Sequence, residues 1–297
     1  MTEPDADRPA GADLCAWIGR REQVRDLVTA APVAALAATL DHPPREVCDG
    51  DPLPPLWHWL YFLPHPRASE LGEDGHARRG GFLPPVALPR RMWAGSRFEF
   101  GARPLRVGQR IERESTVEDV KHRRGRSGAL VFVTVHHEIR AEGAAEPALR
   151  EWHHIVYREA PGPGDAAPSP TPSPMAPQWR RLVRPDAVLL FRYSALTFNG
   201  HRIHYDRTFA NGVEGYPGLV VHGPLLATLL LDLLREHRRD AALDTFEFRA
   251  LRPLFDGAAF TLAGADAGDA GVRLWVLDAG GAVAMDAQAT LRPFGPG

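Results

Sequence analysis

Apolar residues are most concentrated between Leu225 and Leu234, where ten positions contain seven leucines. Pro224 precedes this run, and its fixed φ suits the first position of a helix. The pattern therefore predicts a helix that begins at Pro224 with Gly223 as its N-cap. This helix is apolar on nearly every face until Arg235, so other structure must surround it.

Alternation of apolar and polar residues predicts short antiparallel strands elsewhere in the chain. It occurs in GALVFVTVHHEIR at 128–140 and, later, in FTLAG at 260–264, VRLWVLD at 272–278 and AVAMDAQATL at 282–291. Near the N-terminus, apolar residues recur at about one-turn intervals from Leu14 to Leu40, which predicts a helix. Residues 1–12 have a composition typical of disorder, and the Pro- and Ser-rich stretch 161–178 is typical of a linker.

A repeated motif indicates that the chain contains two related halves. ARPLRVG at 102–108 and LRPLFDG at 251–257 share Arg, Pro, Leu and Gly at one offset, since 252 − 103 = 149. Each copy follows a Glu-Phe pair and precedes strand-like alternation. We therefore predict an N-terminal domain at 13–160 and a C-terminal domain at 179–297, each an antiparallel sheet wrapped around a helix. The first half lacks an equally apolar, glycine-started helix, so we expect it to shape a binding tunnel without chemistry of its own.

The length of the chain agrees with two domains, and its net charge narrows the classes of partner to expect. The chain has 297 residues, a net charge of −2 and two cysteines, Cys15 and Cys48. This charge gives no reason to expect a nucleic acid or membrane partner, and two cysteines argue against a disulfide framework. The acidic start is unlike a secretory signal, and the longest apolar run is too short to span a bilayer. We expect a cytoplasmic protein.

The stretch from Phe191 to Leu225 carries the candidate chemistry. His204 suits proton transfer near neutral pH, although a hydrogen-bonded structural histidine is the alternative. Asn199 cannot act as a general base; it can orient a water molecule or, alternatively, cap the following turn. The amide of Gly223, at the positive end of a helix dipole, can face a carbonyl oxygen that gains charge during reaction.

This stretch resembles the signature G-D-x-N-P-L-H followed by V-H-G of the MaoC-like hydratases and dehydratases in the hot-dog superfamily. Asn199 stands at the catalytic aspartate of that pattern, His204 at the catalytic histidine, and Val221, His222 and Gly223 match unchanged. The sequence pattern F-R-Y-S-A-L-T-F-N-x-H-x-I-H-Y-D looks most like the mesaconyl-C4-CoA and itaconyl-CoA hydratase group. In the first half, PPLWHWLYFLP at 54–64, DGHARRGGFLPP at 74–85 and PRRMWAGSRFEF at 89–100 look like the FAS1-like dehydratase domain of that group.

The resemblance implies an α+β double hot-dog fold and a hydro-lyase that adds water to an enoyl thioester. Coenzyme A would enter as part of the substrate, with no other cofactor and no metal. Alternatives are a 3-hydroxyacyl-ACP dehydratase and a non-catalytic acyl-thioester-binding protein. A monomer or a homodimer of double hot-dogs is expected.

The candidate residues divide into two groups. His204, Asn199 and Gly223 are the predicted catalytic residues, and the predicted substrate-binding residues are Arg192, His201, Arg202 and His222. Arg192 or Arg202 could pair with a substrate carboxylate. The alternative for either arginine is an ordinary solvated side chain.

Overall fold

The computed structural model describes residues 13–125, 128–159, 169–239, 241–268 and 271–293. The stretch predicted to be disordered, 1–12, lies outside these ranges, as does the first part of the predicted linker. Residues 169–178 are described and form no helix or strand. The proposed domain boundaries stay predictions.

Ten strands form one antiparallel sheet in the described part of the chain. The first five are β1 (Arg21–Leu27), β2 (Arg90–Phe100), β3 (Arg110–Gly125), β4 (Gly128–Ala141) and β5 (Leu149–Arg158). The second five are β6 (Trp179–Val183), β7 (Ala241–Ala250), β8 (Phe260–Asp266), β9 (Gly271–Leu277) and β10 (Val283–Pro293). Their order across the sheet is β1-β3-β4-β5-β2-β7-β10-β9-β8-β6.

The two halves of the sheet have the same topology. From the outer edge to the centre, the first half runs β1-β3-β4-β5-β2 and the second runs β6-β8-β9-β10-β7. The repeated motifs follow β2 and β7, and they make matching hydrogen bonds: Leu53 N donates to Leu105 O at 2.7 Å, and Val221 N donates to Leu254 O at 2.8 Å. The duplication and the double hot-dog fold are therefore confirmed.

The halves join where β2 pairs with β7. Phe98 lies opposite Phe246 across this pair, and their rings stack with centroids 6.0 Å apart. Gly95 permits the close approach, because a Cβ atom at this position would lie 2.1 Å from the carbonyl oxygen of Phe248. Pairing β2 with β7 removes one exposed edge from each half.

Four α-helices occur in the described residues: α1 (Ala30–Thr39), α2 (Ala187–Leu196), α3 (Arg207–Gly212) and α4 (Gly223–His237). Helix α4 is the central helix of the second half and packs on β6, β8 and β9. Every residue from Leu225 to Leu234 is buried, as the apolar pattern predicts. The helix begins at Gly223 with His222 as the N-cap, one residue earlier than predicted. None of the described helices is long and apolar enough to cross a membrane.

The N-terminal region differs from the predicted helix over Leu14–Leu40. A 3-10 turn at Leu14–Trp17 is followed by β1 and then by α1. β1 alternates between exposed and half-buried positions and pairs with β3, so cross-strand pairing overrides the approximate helical spacing. Helix α1 packs against α2. Where α4 begins in the second half, the first half has only the 3-10 turn Trp57–Leu60.

Candidate active site

A cavity of about 1900 Å³ is lined by residues of both halves. The first half contributes parts of the segment 58–93 and side chains of β3, β4 and β5. The second half contributes α2, the turn at 199–204 and the start of α4. A ligand in this cavity would contact both halves at once.

His204 lies on this wall in a 3-10 turn, Arg202–His204, and is 7 % exposed. Its Nδ1 donates a hydrogen bond to the carbonyl oxygen of Val220 at 2.7 Å. Because a carbonyl can only accept, Nε2 is the unprotonated nitrogen. Burial lowers the pKa of His204 to about 4, against the opposing effect of the Val220 carbonyl. The imidazole is therefore neutral at pH 7 and can accept a proton.

His222 lies directly behind His204 and is almost completely buried. The two rings stack with centroids 3.7 Å apart, and His222 Nε2 shares a hydrogen bond of 2.8 Å with Ser194 Oγ. His222 is absent from the residues that line the cavity. This placement supports the ring of His204 and gives no direct contact with a ligand in the cavity.

Gly223 is the first residue of α4 and lines the cavity. An amide in the first turn has no partner within its own helix and carries the positive end of the helix dipole. A Cβ atom at Gly223 would meet nothing within 4 Å, so the space beside this residue is open. The role of this amide in binding a carbonyl oxygen stays a prediction.

Asn199 also lines the cavity. Its Oδ1 accepts a hydrogen bond from the backbone N–H of His201 at 3.0 Å, which is the turn-capping role considered as the alternative. Phe198, the residue before it, has a positive φ of 49°. Asn199 thus shapes the turn that presents His201 and His204.

The two arginines predicted to bind a carboxylate are not on the cavity wall. Arg192 is exposed on α2. Arg202 is paired with Asp206 at 2.7 Å and lies over the ring of Phe209. His201, by contrast, lines the cavity next to His204.

Asp74 and His76 are cavity residues that the sequence analysis did not assign. Asp74 Oδ2 accepts a hydrogen bond from His76 Nδ1 at 2.9 Å, and the rings of His76 and His201 are 4.2 Å apart. One ligand atom from each of Asp74, His76 and His201 lies within 4.8 Å of the others, a spacing that could also hold a metal ion. The motif Asp-Gly-His was visible in the sequence, but nothing local connected it to His204.

The first half also contributes a buried polar cluster around Glu151. This carboxylate accepts hydrogen bonds from His58 Nε2 at 3.1 Å, Trp59 Nε1 at 3.3 Å and Ser96 Oγ at 3.1 Å. Burial opposes ionisation of Glu151, but the hydrogen bond and charge of His58 outweigh it and lower the pKa to about 2.

Two further histidines of the first half face the same cavity. Burial lowers the pKa of His137 to about 3 and that of His153 to about 4. The alternation of β4 and β5 places both on one face, as their sequence pattern allows. The first half therefore supplies titratable groups to the cavity, and the expectation that it has no chemistry of its own stays a prediction.

Comparison with known proteins agrees with this architecture. The mesaconyl-C(4)-CoA hydratase of Chloroflexus aurantiacus is 49% identical over 263 residues, which cover 88% of this chain and 91% of that protein. The mitochondrial hydroxyacyl-thioester dehydratase type 2 of Schizosaccharomyces pombe is 29% identical over 258 residues, 78% of this chain and 86% of that protein.

Solved structures with lower identity share the fold. HtdX of Mycobacterium tuberculosis is 18% identical with a TM-score of 0.63, covering 92% of this chain and 100% of its own. A MaoC-like dehydratase from Phytophthora capsici is 15% identical with a TM-score of 0.66, and the match covers 93% of this chain and 96% of that protein. The profile of the family described as hydroxyacyl-thioester dehydratase type 2 matches residues 56–256. With this match over most of its length, the chain belongs to the hydroxyacyl-thioester dehydratase type 2 family.

Proposed function

We propose that this protein is a hydro-lyase that reversibly adds water across the 2,3 double bond of an enoyl-CoA thioester. The observation that carries the proposal is that one cavity is lined both by His204, whose Nε2 is unprotonated, and by Gly223, the first residue of α4. The 49% identity to a mesaconyl-C(4)-CoA hydratase supports the same reaction class.

The reaction follows from these two groups. The Gly223 N–H, with the dipole of α4 behind it, polarises the thioester carbonyl. His204 Nε2 takes a proton from water while the water oxygen bonds to C3, and the electron pair of the double bond moves to C2 as an enolate. The proton then passes from His204 to C2. Asn199 holds the turn that positions His204, and no redox cofactor or metal is required.

For the acyl group we propose a short chain that carries a carboxylate, as in mesaconyl-C4-CoA. In that substrate the carboxylate is attached to the carbon that receives water, so its cationic partner must lie near His204. Arg91 meets this requirement better than Arg192 or Arg202. It lines the cavity, hydrogen-bonds Tyr157, and forms no ion pair with a carboxylate among the described residues. Its charge also acts on His76 and His201.

The remaining proposals concern assembly and carrier. A double hot-dog already contains both halves of the site, so a monomer or a homodimer of double hot-dogs is sufficient. We propose coenzyme A as the carrier in preference to a carrier protein, because the relative with the higher identity is named for a CoA substrate. A cytoplasmic location stays a prediction.

The test is a spectrophotometric assay of the purified protein with mesaconyl-C4-CoA and crotonyl-CoA. We expect hydration of at least one thioester and a fall in kcat of about 10²–10⁴ in His204→Ala, with a smaller change in KM. His122→Ala, an exposed histidine on β3, is the control and should match the wild type. Hydration by His204→Ala at the wild-type rate would remove His204 from the mechanism.

Two outcomes would favour the alternative functions. Tight binding of acyl-CoA without turnover of any thioester would indicate a non-catalytic binding protein. Faster turnover of the same acyl group on a carrier protein than on coenzyme A would indicate a 3-hydroxyacyl-ACP dehydratase.

A further inference from the structure

Residues 73–76 of the first half contact the turn at 199–204 of the second half, which carries His204. We call these contacts the seam and this turn the catalytic turn. Arg202 N donates to Asp74 O at 2.9 Å, and the Arg202 side chain donates to Glu73 O at 3.1 Å. Gly75 has a φ of +85°, and a Cβ atom there would lie 1.9 Å from the carbonyl oxygen of Gly200. The segment Asp74–His76 is thus held directly against the 199–204 turn.

This seam places a carboxylate and a second histidine in contact with the catalytic turn. Asp74 accepts from both the side chain and the backbone N–H of His76, at 2.9 and 3.0 Å. His76 therefore carries its proton on Nδ1, and its ring packs on His201 at 4.2 Å. His201 in turn meets His204 edge to face at 5.6 Å. A continuous row of contacts leads from Asp74 to His204.

The catalytic turn itself lacks an ionisable acid. Asn199 stands where the family pattern has aspartate, and its Oδ1 is already bonded to His201 N. When His204 takes a proton from water, its positive charge lies in a desolvated site, where an uncompensated charge is costly. An ionised carboxylate close to this cluster would stabilise the charge.

Asp74 is the described cavity carboxylate best placed for this task. Glu22, Glu214 and Asp278 pair with arginines, and Glu151 pairs with His58. Burial alone would raise the pKa of Asp74, but the hydrogen bonds from His76 hold it below its usual range. Burial lowers the pKa of His76, and the charges of Arg91 and Arg79 lower it further. Asp74 is therefore ionised while the histidines around it are neutral.

We propose that Asp74 and His76 are positioning residues for catalysis, supplying from the first half the carboxylate that Asn199 does not provide in the second. In this role they act on His204 through His201. Asp74 fixes the orientation of His76, His76 holds His201 against His204, and the negative charge favours the imidazolium that forms on His204. This proposal rests on the hydratase function proposed above.

The test compares Asp74→Asn, Asp74→Glu and His76→Gln with the wild type on the thioester that it hydrates best. We expect Asp74→Asn and His76→Gln to lower kcat by about 10–100-fold with KM changed less than about 3-fold, and Asp74→Glu to restore part of the loss. Glu73→Gln, a neighbouring exposed carboxylate, is the matched control and should retain wild-type kcat. Circular dichroism checks that each variant is folded.

A second measurement does not depend on turnover. In ¹⁵N NMR spectra of the histidine rings, the wild type should show His76 protonated at Nδ1, and Asp74→Asn should lose that tautomer preference. The proposal would be overturned if Asp74→Asn kept the wild-type kcat. It would also be overturned if the KM of Asp74→Asn rose by the same factor by which its kcat fell. So would loss of activity on chelation with recovery on adding Zn²⁺, because Asp74, His76 and His201 would then hold an ion. An inactive wild type with the expected His76 tautomer would instead refute the hydratase function alone.

Discussion

Burial decides the protonation state of His204. With its pKa lowered to about 4, the imidazole is neutral at physiological pH and ready to take a proton from water. The hydrogen bond to Val220 O selects the tautomer, and the stacked ring of His222 holds the orientation. A residue that is buried, neutral and fixed in this way suits the proposed role of general base, because its lone pair points in one direction.

The role of the Gly223 amide can be separated from the role of the glycine itself. Gly223→Pro removes the N–H at a first-turn position that tolerates proline, and His222 has extended dihedrals compatible with a following proline. We expect kcat to fall about 10²–10³-fold without a loss of thermal stability. Gly223→Ala retains the N–H and should lose much less kcat. Equal losses in both variants would indicate a steric effect and would contradict the oxyanion role.

Selectivity for a carboxylate can be assigned to Arg91 by comparing two substrates. Arg91→Gln should lower kcat/KM for mesaconyl-C4-CoA by about 10-fold or more, because a charged hydrogen-bond pair is lost, with little effect on crotonyl-CoA. Arg180→Gln, an exposed arginine on β6, serves as the control. If Arg91→Gln affected both substrates alike, Arg91 would not be the carboxylate partner.

At the scale of elements, the site is positioned by helix α4 and by the seam between the two halves. Helix α4 brings Gly223 to the cavity because its leucines are buried on all sides, which leaves the helix no freedom to shift. The Asp74–His76 segment is positioned by the seam with the 199–204 turn, where two glycines allow the backbones to touch. The seam relies on close backbone contact, so small backbone changes there should affect the chemistry.

Gly75→Ala tests the seam. The new Cβ atom would overlap the carbonyl oxygen of Gly200, at a φ that alanine disfavours. We expect a loss of about 1–3 kcal/mol in the free energy of unfolding, together with a lower kcat, because the segment must move away from the turn. Gly212→Ala, whose Cβ atom would meet nothing within 4 Å, is the control. Unchanged stability and kcat in Gly75→Ala would show that the seam is not tight.

At the scale of the whole molecule, both halves place neutral histidines in one cavity. The pKa values of His137, His153 and His204 are lowered to about 3, 4 and 4 by burial, whereas an unfolded histidine has a pKa of about 6.5. Between these values the unfolded chain binds more protons than the folded chain. The contribution to stability is therefore complete above about pH 6.5 and falls as the pH decreases toward about 4.

Because proton binding and folding are linked in this way, we predict that the thermal stability of the protein decreases in mild acid. We expect the Tm to be at least about 5 °C lower at pH 5 than at pH 7, measured by calorimetry at constant ionic strength. Protonation of Glu151, with its pKa of about 2, adds a further loss only at lower pH. His153→Gln should reduce the difference, and His122→Ala should leave it unchanged. Equal Tm values at both pH values would mean that these histidines are not neutral in the fold.

The local sequence pattern was sufficient to predict several features of the fold and of the candidate site. The leucine run predicted α4 because a helix apolar on every face must be buried, and the alternating runs predicted β4, β8, β9 and β10. The 149-residue offset located equivalent turns before β3 and β8. His204 and Gly223 could be selected because they lie close together in sequence and near the start of that helix.

Other features depended on contacts between distant parts of the chain. β1 is a strand because β3 lies beside it, and its own spacing could not show this. Asp74 and His76 lie more than 120 residues before the turn that they contact, so no local pattern connects them to His204. The sequence by itself determined the central helix, the duplication and the candidate histidine. Only the tertiary structure decided which carboxylate and which arginine reach the cavity, because that depends on how the two halves pack.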